Sequence, residues 1–279
     1  MTTQRKRILE SVEFIKKSIP VGFKTSLAIV KKKDIKIPGD FKIISRIYYK
    51  IIPHSFEENK IDEPGYFEFA KYKGHNLLIL NGRFHFYDGI SMRNLGHVIY
   101  VLKYLGISKI ISLDEVAHLN PRFKCGELAL VYDHINLMGD NPLIGENDNE
   151  LGVRFPDMSN AYDASLYKKA FGEFVDLKMK INESVYLGII GPESETEAEA
   201  RFYRDIGTDV LGYSFVPENI AAVHCKLKYL AIGLITRELI ADKMRDDRST
   251  LKEKEHERIS AKRAAEKVLH KIIVKLIDI

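Results

Sequence analysis

Tryptophan is absent from this chain of 279 residues, and cysteine occurs only at Cys125 and Cys225. Two cysteines provide neither a disulfide framework nor the ligand spacing of a metal site, so we expect no bound metal and a reducing environment. No apolar run approaches the ~20 residues that a membrane-spanning helix requires. Residues 1–18 form a charged amphipathic pattern without the apolar centre of a signal peptide. The sequence therefore predicts a cytoplasmic protein that does not bind a membrane.

A concentrated charge of one sign is also missing. The formal net charge is +4, but lysines and arginines are interleaved with acids, most clearly over residues 242–267, which is typical of a solvated helix face. Only residues 31–33 form an uninterrupted basic run, and three lysines are too few for a nucleic-acid-binding stripe. We therefore expect no nucleic-acid partner.

Strand and helix patterns alternate along the chain. Helices are predicted over 4–18, 94–105, 197–206, 216–224 and 249–276, and strands over 26–30, 67–71, 76–80, 109–113, 128–132, 185–190, 210–213 and 229–234. This alternation favours an α/β fold with a central mixed, largely parallel sheet and helices on both faces. No linker or repeat divides the chain, so residues 1–279 are predicted to form a single domain.

Residues 81–89 place a guanidinium, an imidazole and a phenol close together. Arg83, His85 and Tyr87 alternate with phenylalanines, so an extended backbone would present all three polar groups on one face. An arginine beside a histidine suits an oxyanion such as phosphate, and a nearby phenol suits a sugar hydroxyl. A polar face on an edge hairpin would explain the same pattern without any function.

Seven further motifs follow the 81–89 segment in a fixed order. They are Leu-Asn-Pro at 119–121, Asp-His-Ile-Asn-Leu at 133–137, Asn-Pro-Leu at 141–143, Arg-Phe-Pro-Asp-Met-Ser at 154–159, Gly-Pro-Glu-Ser-Glu-Thr at 191–196, Gly-Tyr-Ser-Phe-Val-Pro-Glu at 212–218 and Ile-Thr at 235–236. The series resembles the trimeric class of purine nucleoside phosphorylases, from about Leu9 to the final helix. The resemblance implies phosphate-dependent cleavage of purine nucleosides to free base and ribose 1-phosphate, with phosphate as co-substrate and no other cofactor.

The resemblance also implies roles for individual residues. Phosphate would be bound by Arg83, His85 and Ser214. The nucleoside would be bound by Tyr87 at the ribose, Tyr213 beneath sugar and base, Glu195 at the purine and His256 at the primary hydroxyl of the sugar. Phe155 matches a residue that crosses from a neighbouring subunit to cover the sugar, which implies a homotrimer.

Several of these residues also have purely structural interpretations. Glu195 could be an exposed residue in the first turn of a helix, favoured there by the helix dipole. His256 lies in a charged helix and could be a surface residue. Tyr213 and Phe155 could be ordinary core aromatics.

Three substitutions depart from the family pattern. The lysines at 31–33 stand where the family has a Gly-Ser-Gly turn around phosphate, so Lys33 would supply charge but no backbone cradle. Asp114 and Glu115 fall where the family has Asn-Ala, and either carboxylate could lie near Arg83 and compete with phosphate.

The third departure is Arg237, which replaces the asparagine that contacts the purine. Arg237 could donate to the departing base, which would make Glu195, His85 and Arg237 the catalytic residues, or it could pair with Glu195 and fill the base pocket. Residues 191–194 also lack the aromatic wall that the family prefers.

The departures lie in ligand loops, whereas the core motifs match. We therefore expect a member of the family with weakened or lost phosphorolysis. One alternative is a non-catalytic binding or scaffold homologue, possibly a partner of an active paralogue. Another is a nucleoside hydrolase in which Glu115 holds the attacking water.

Overall fold

The computed structural model describes residues 1–54 and 65–277, and a sheet of nine strands lies at the centre of this described part. The strands are Leu27–Lys31 (β1), Lys42–Tyr48 (β2), Tyr66–Tyr72 (β3), His75–Asn81 (β4), Lys109–His118 (β5), Leu128–Asn136 (β6), Asn182–Gly188 (β7), Val210–Gly212 (β8) and Lys228–Glu238 (β9). Their order is β2-β3-β4-β1-β5-β8-β7-β6-β9, and a further pairing of β5 with β9 closes the last five strands into a ring.

The sheet is mixed, as the sequence predicted. β1 pairs in parallel with both β4 and β5, and β5 pairs in parallel with β9. The β3–β4 hairpin and the β6–β9 pair are antiparallel. β1 is buried along its whole length, which explains why the strand reads as a continuous apolar run instead of an alternating one.

Helices cover both faces of the sheet. They are Thr3–Lys16 (α1), Met92–Leu95 (α2), His97–Tyr104 (α3), Ala164–Asp176 (α4), Glu197–Asp205 (α5), Phe215–His224 (α6), Ala241–Met244 (α7) and Leu251–Leu276 (α8). One apolar core joins residues of α1, α3 and α6 to the sheet. A second core joins α4 and α8 to the opposite face, so the predicted three-layer α/β arrangement is confirmed.

The differences from prediction lie at element ends and at three missed elements, which include the short helix α7. The predicted helix over 94–105 is two helices that meet at Gly96. β5 and β9 run to His118 and Glu238, well past the predicted ends at 113 and 234. β2 and α4 were not predicted. None of the described helices is both long and apolar enough to cross a lipid bilayer.

Candidate functional site

Arg83 is the most fully bonded polar side chain near the end of β4. Only 2% of the side chain is exposed. Its Nε donates to Glu218 Oε1 at 2.7 Å and its Nη2 to Glu218 Oε2 at 3.3 Å. Burial alone would lower the pKa of Arg83, but Glu218 and then Asp114 raise it above its ordinary value. The guanidinium also donates to Ser112 Oγ and to the carbonyl oxygens of Val30 and Leu113.

Asp114 brings Arg83 and Ser214 together. Its Oδ2 lies 3.5 Å from Arg83 Nη1 and accepts a hydrogen bond from Ser214 Oγ. Its Oδ1 accepts from the backbone N–H of Glu115 at 2.8 Å. Ser214 directly precedes α6, yet its hydroxyl does not cap the helix; it is oriented toward Asp114, to which it donates. Residues far apart in the sequence therefore converge on one buried carboxylate.

Glu115 does not approach Arg83, so the expectation that either carboxylate could do so holds only for Asp114. Successive side chains of a strand point to opposite faces, and Glu115 points to the cations of other elements. Its Oε1 lies 2.9 Å from Lys32 Nζ, and its Oε2 accepts from Arg258 Nη1. Lys262 Nζ lies 3.8 Å from Glu115 Oε1. Glu115 thus links the loop after β1 to α8.

The lysine run after β1 forms a cradle of carbonyl oxygens. Lys31 Nζ donates to the carbonyl oxygens of Ile35 at 2.6 Å, Lys33 at 3.3 Å and Lys32 at 3.5 Å. Burial lowers the pKa of Lys31 to about 8. Carbonyl oxygens that face inward suit an ammonium group and oppose an anion, so this loop is the reverse of a phosphate cradle. Lys33 is exposed, and it is Lys32 that reaches β5.

Three rings form a row beside the Asp114 cluster. The rings of His85 and Tyr87 stack with centroids 4.7 Å apart, and Tyr87 meets Tyr213 edge-on at 5.6 Å. The predicted extended backbone from Arg83 to Tyr87 is wrong, because residues 86–88 form a 3-10 turn whose N-cap backbone donates to Asp88. This turn brings the rings of His85 and Tyr87 together, and the alternation of side chains along an extended strand does not.

Glu195 and Arg237 form the predicted ion pair. Arg237 Nη2 donates to Glu195 Oε1 at 3.2 Å and lies 2.9 Å from Oε2. Oε2 is buried and accepts no hydrogen bond from the described residues. The Glu195 side chain is 3% exposed and that of Arg237 is 33% exposed. Both residues line a cleft of about 790 Å³ with Ser194 and Thr236.

His256 and Phe155 lie apart from this cluster. In α8 the cleft is lined by Leu251, Lys254, Glu255, Glu257 and Arg258, and His256 is not part of that lining. Phe155 is 86% exposed, with the guanidinium of Arg154 5.8 Å from its ring. Their roles at a nucleoside site stay predictions.

The sequence interpretation missed Glu218 as an interacting residue. Glu218 is the only carboxylate in α6, a mostly apolar helix, and it is 7% exposed. A buried charge requires a partner of opposite charge. This single acid in a mostly apolar helix was the feature of the sequence that indicated a buried cation opposite α6.

The comparisons of this chain with a family profile, with known sequences and with solved structures agree with one another. The sequence profile described as the Phosphorylase superfamily matches residues 37–274. Purine nucleoside phosphorylase 1 of Bacillus subtilis is 36% identical over 230 residues, which cover 82% of this chain and 84% of that protein. The crystal structure of a Schistosoma purine nucleoside phosphorylase in complex with hypoxanthine superimposes with a TM-score of 0.86 at 26% identity, covering 100% of this chain and 99% of that chain.

A second solved structure holds a sugar phosphate. It is isoform 2 of purine nucleoside phosphorylase from Schistosoma mansoni, in complex with cytosine and ribose-1-phosphate. The TM-score is 0.86 at 27% identity, with 98% of this chain and 95% of that chain covered. The similarity extends over the whole sheet and both helical layers.

Proposed function

Because this chain belongs to the purine nucleoside phosphorylase family, we propose that it binds a purine nucleoside in the cleft at Glu195 and Arg237. The observation that carries this proposal is the ion pair itself. Glu195 Oε2 is a buried acceptor without a hydrogen bond from the described residues, and a purine offers ring and exocyclic N–H donors. The Arg237 fork can donate to the acceptors of the same ring. A purine would therefore satisfy both side chains at once.

The sugar would lie between this cleft and the Arg83 cluster. Tyr87 and Tyr213 are edge-on to each other at 5.6 Å, and each combines an aromatic surface with a hydroxyl group, which suits a ribose. His85 stacks on Tyr87, and in this proposal it faces phosphate together with Arg83 and Ser214. Lys33 would add only long-range charge.

The same proposal holds that phosphorolysis is weakened or lost. Arg83 is already bonded to two carboxylates, Glu218 and Asp114, so the cluster carries a net formal charge of −1 before any ligand enters. Two like unit charges ~4 Å apart repel by about 4 kcal/mol at an effective dielectric near 20. Phosphate would meet this repulsion and would also find the donors of Arg83 in use.

Two alternatives differ in their support. A binding or scaffold role, with or without an active paralogue as partner, is supported by the same saturation of Arg83. A hydrolase that uses Glu115 as base has less support, because Glu115 is held by Lys32 and Arg258 and points away from Asp114. A cytoplasmic location remains part of the proposal.

The proposed function can be tested with inosine, guanosine and adenosine, each titrated into the protein and each assayed for free base with and without phosphate. We expect saturable nucleoside binding and phosphate-dependent release far below the ~10 per second of a typical enzyme. Arg237→Ala should weaken nucleoside binding, because it removes the guanidinium donors to the purine. Release at ordinary turnover would disprove the weakened reaction, release without phosphate would indicate a hydrolase, and absence of nucleoside binding would reject the proposal.

We also propose a homotrimer, in which Phe155 covers the sugar of a neighbouring subunit. Phe155 belongs to a stretch with large exposed apolar side chains at Ile144 and Val153, which are 60% and 57% exposed. Light scattering should give three times the chain mass of 32.0 kDa. Phe155→Ser should weaken nucleoside binding several-fold while leaving the fold intact. A monomer at concentrations well above any dissociation threshold would exclude the trimer.

A further inference from the structure

The Asp114 carboxylate has three partners: an ion pair with Arg83 and hydrogen bonds from Ser214 and from the next residue of its own strand. Arg83 comes from the loop after β4, Ser214 from the residue before α6, and the N–H of Glu115 from β5 itself. Only 8% of the Asp114 side chain is exposed. A carboxylate that accepts from a hydroxyl and a backbone amide and lies 3.5 Å from a guanidinium has the environment of a bound oxyanion.

The start of α6 adds to this environment. The backbone N–H of Ser214 donates to Tyr186 Oη at 3.2 Å, and the first turn of α6 follows directly. The amino end of a helix carries partial positive charge, which stabilises a nearby anion. The hydroxyl of Ser214 would normally cap such a helix, but it is turned to Asp114. The Ser214 hydroxyl therefore stabilises the Asp114 carboxylate and does not cap α6.

We infer that Asp114 is a resident anion that occupies the position of an oxyanion ligand and closes this site to inorganic phosphate. The inference rests on the proposed assignment of Arg83 and Ser214 to phosphate, and it identifies the side chain that excludes it. A free phosphate needs the same donors that Asp114 already uses, and it must also approach the charges of Asp114 and Glu218. Asparagine has nearly the shape of aspartate without its charge, so one isosteric change at Asp114 distinguishes a closed site from an open one.

The test is a calorimetric titration with inorganic phosphate, at constant ionic strength and without nucleoside. The wild-type protein is expected to bind phosphate weakly or not at all. Asp114→Asn removes the charge with almost no change in volume, and we expect it to raise phosphate affinity roughly tenfold or more. Adding Ser214→Ala to that variant should reverse most of the gain. Asp114→Ala provides a second open variant if the asparagine protein does not fold.

Glu115→Gln is the matched control. It makes the same change in charge at the next residue, and it frees Lys32 and Arg258 while leaving the Asp114 cluster intact. Phosphate affinity should not change in this control. The inference is overturned if wild type and Asp114→Asn bind phosphate equally, if Glu115→Gln gains as much, or if the gain survives Ser214→Ala. None of these outcomes depends on nucleoside binding, so the proposed nucleoside binding at Glu195 and Arg237 stands or falls separately.

Discussion

Replacing Glu218 with glutamine is expected to lower the free energy of unfolding by about 3 kcal/mol, because it leaves the buried Arg83 guanidinium short of its main counter-ion. The Glu218 carboxylate accepts from Arg83 Nε at 2.7 Å, Ser112 Oγ at 2.7 Å and Tyr229 Oη at 2.9 Å. Glutamine keeps the shape, but its amide nitrogen can accept none of these bonds. Urea denaturation measures the change.

Glu238→Gln is the control for this prediction. Glu238 makes an ion pair of similar length, 2.8 Å to Lys243, but its side chain is 40% exposed. Exposed pairs contribute about 0–1 kcal/mol, so this variant should unfold close to wild type. Equal and small losses in both variants would show that Arg83 needs no counter-ion from α6, and the account of the buried cluster would then be wrong.

The fold was predictable because its elements carry strong local signals. β1 is buried throughout and apolar up to its last residue, Lys31, and the residues of α1 that face the core, Ile8, Val12 and Ile15, lie on one helical stripe. β2 was missed because it is an edge strand with Ile44 and Tyr48 exposed at 45% and 50%. Its weak periodicity reflects weak burial, so local sequence gave little indication of a strand.

The ends of β5 and β9 were harder to predict for a different reason. Polar residues such as Asp114 and Arg237 usually mark the end of an apolar strand, so the predicted strands ended before them. In the structure both residues lie inside strands, because β5 and β9 pair with each other along their whole lengths. Pairing between distant segments is not encoded in local periodicity. The polar residues were recognised as departures, but their position within strands was not.

The site was only partly accessible from sequence. Spacing alone could not determine which of two adjacent carboxylates meets Arg83, because the choice depends on which face of β5 each side chain occupies. Likewise, the lysines at 31–33 appeared able to attract an anion, whereas in the folded loop the Lys31 ammonium is bound by backbone carbonyl oxygens. A run of positive charge does not reveal the direction of the peptide dipoles around it.

Asp114→Asn combined with Arg237→Asn is expected to raise the kcat/KM of phosphate-dependent inosine cleavage by roughly 100-fold, whereas each single change should raise it only slightly. Each substrate site contains a protein ion pair, Arg83 with Asp114 and Arg237 with Glu195. Cleavage needs phosphate and purine bound together in productive positions, and each ion pair holds a group that one of the two substrates would use, so relieving one pair leaves the other site impaired. Residues that act as one unit are strongly non-additive.

Initial rates of hypoxanthine release, measured with and without phosphate, test this prediction in the four proteins of the cycle. Glu115→Gln with Arg237→Asn is the matched control, because it carries the same formal charge as the active combination but leaves Asp114 in place. A third substitution, Glu195→Ala, should abolish the gain by removing the acceptor for the purine. The explanation by paired charges fails if the double variant cleaves no faster than wild type, or if either single variant already reaches the rate of the double.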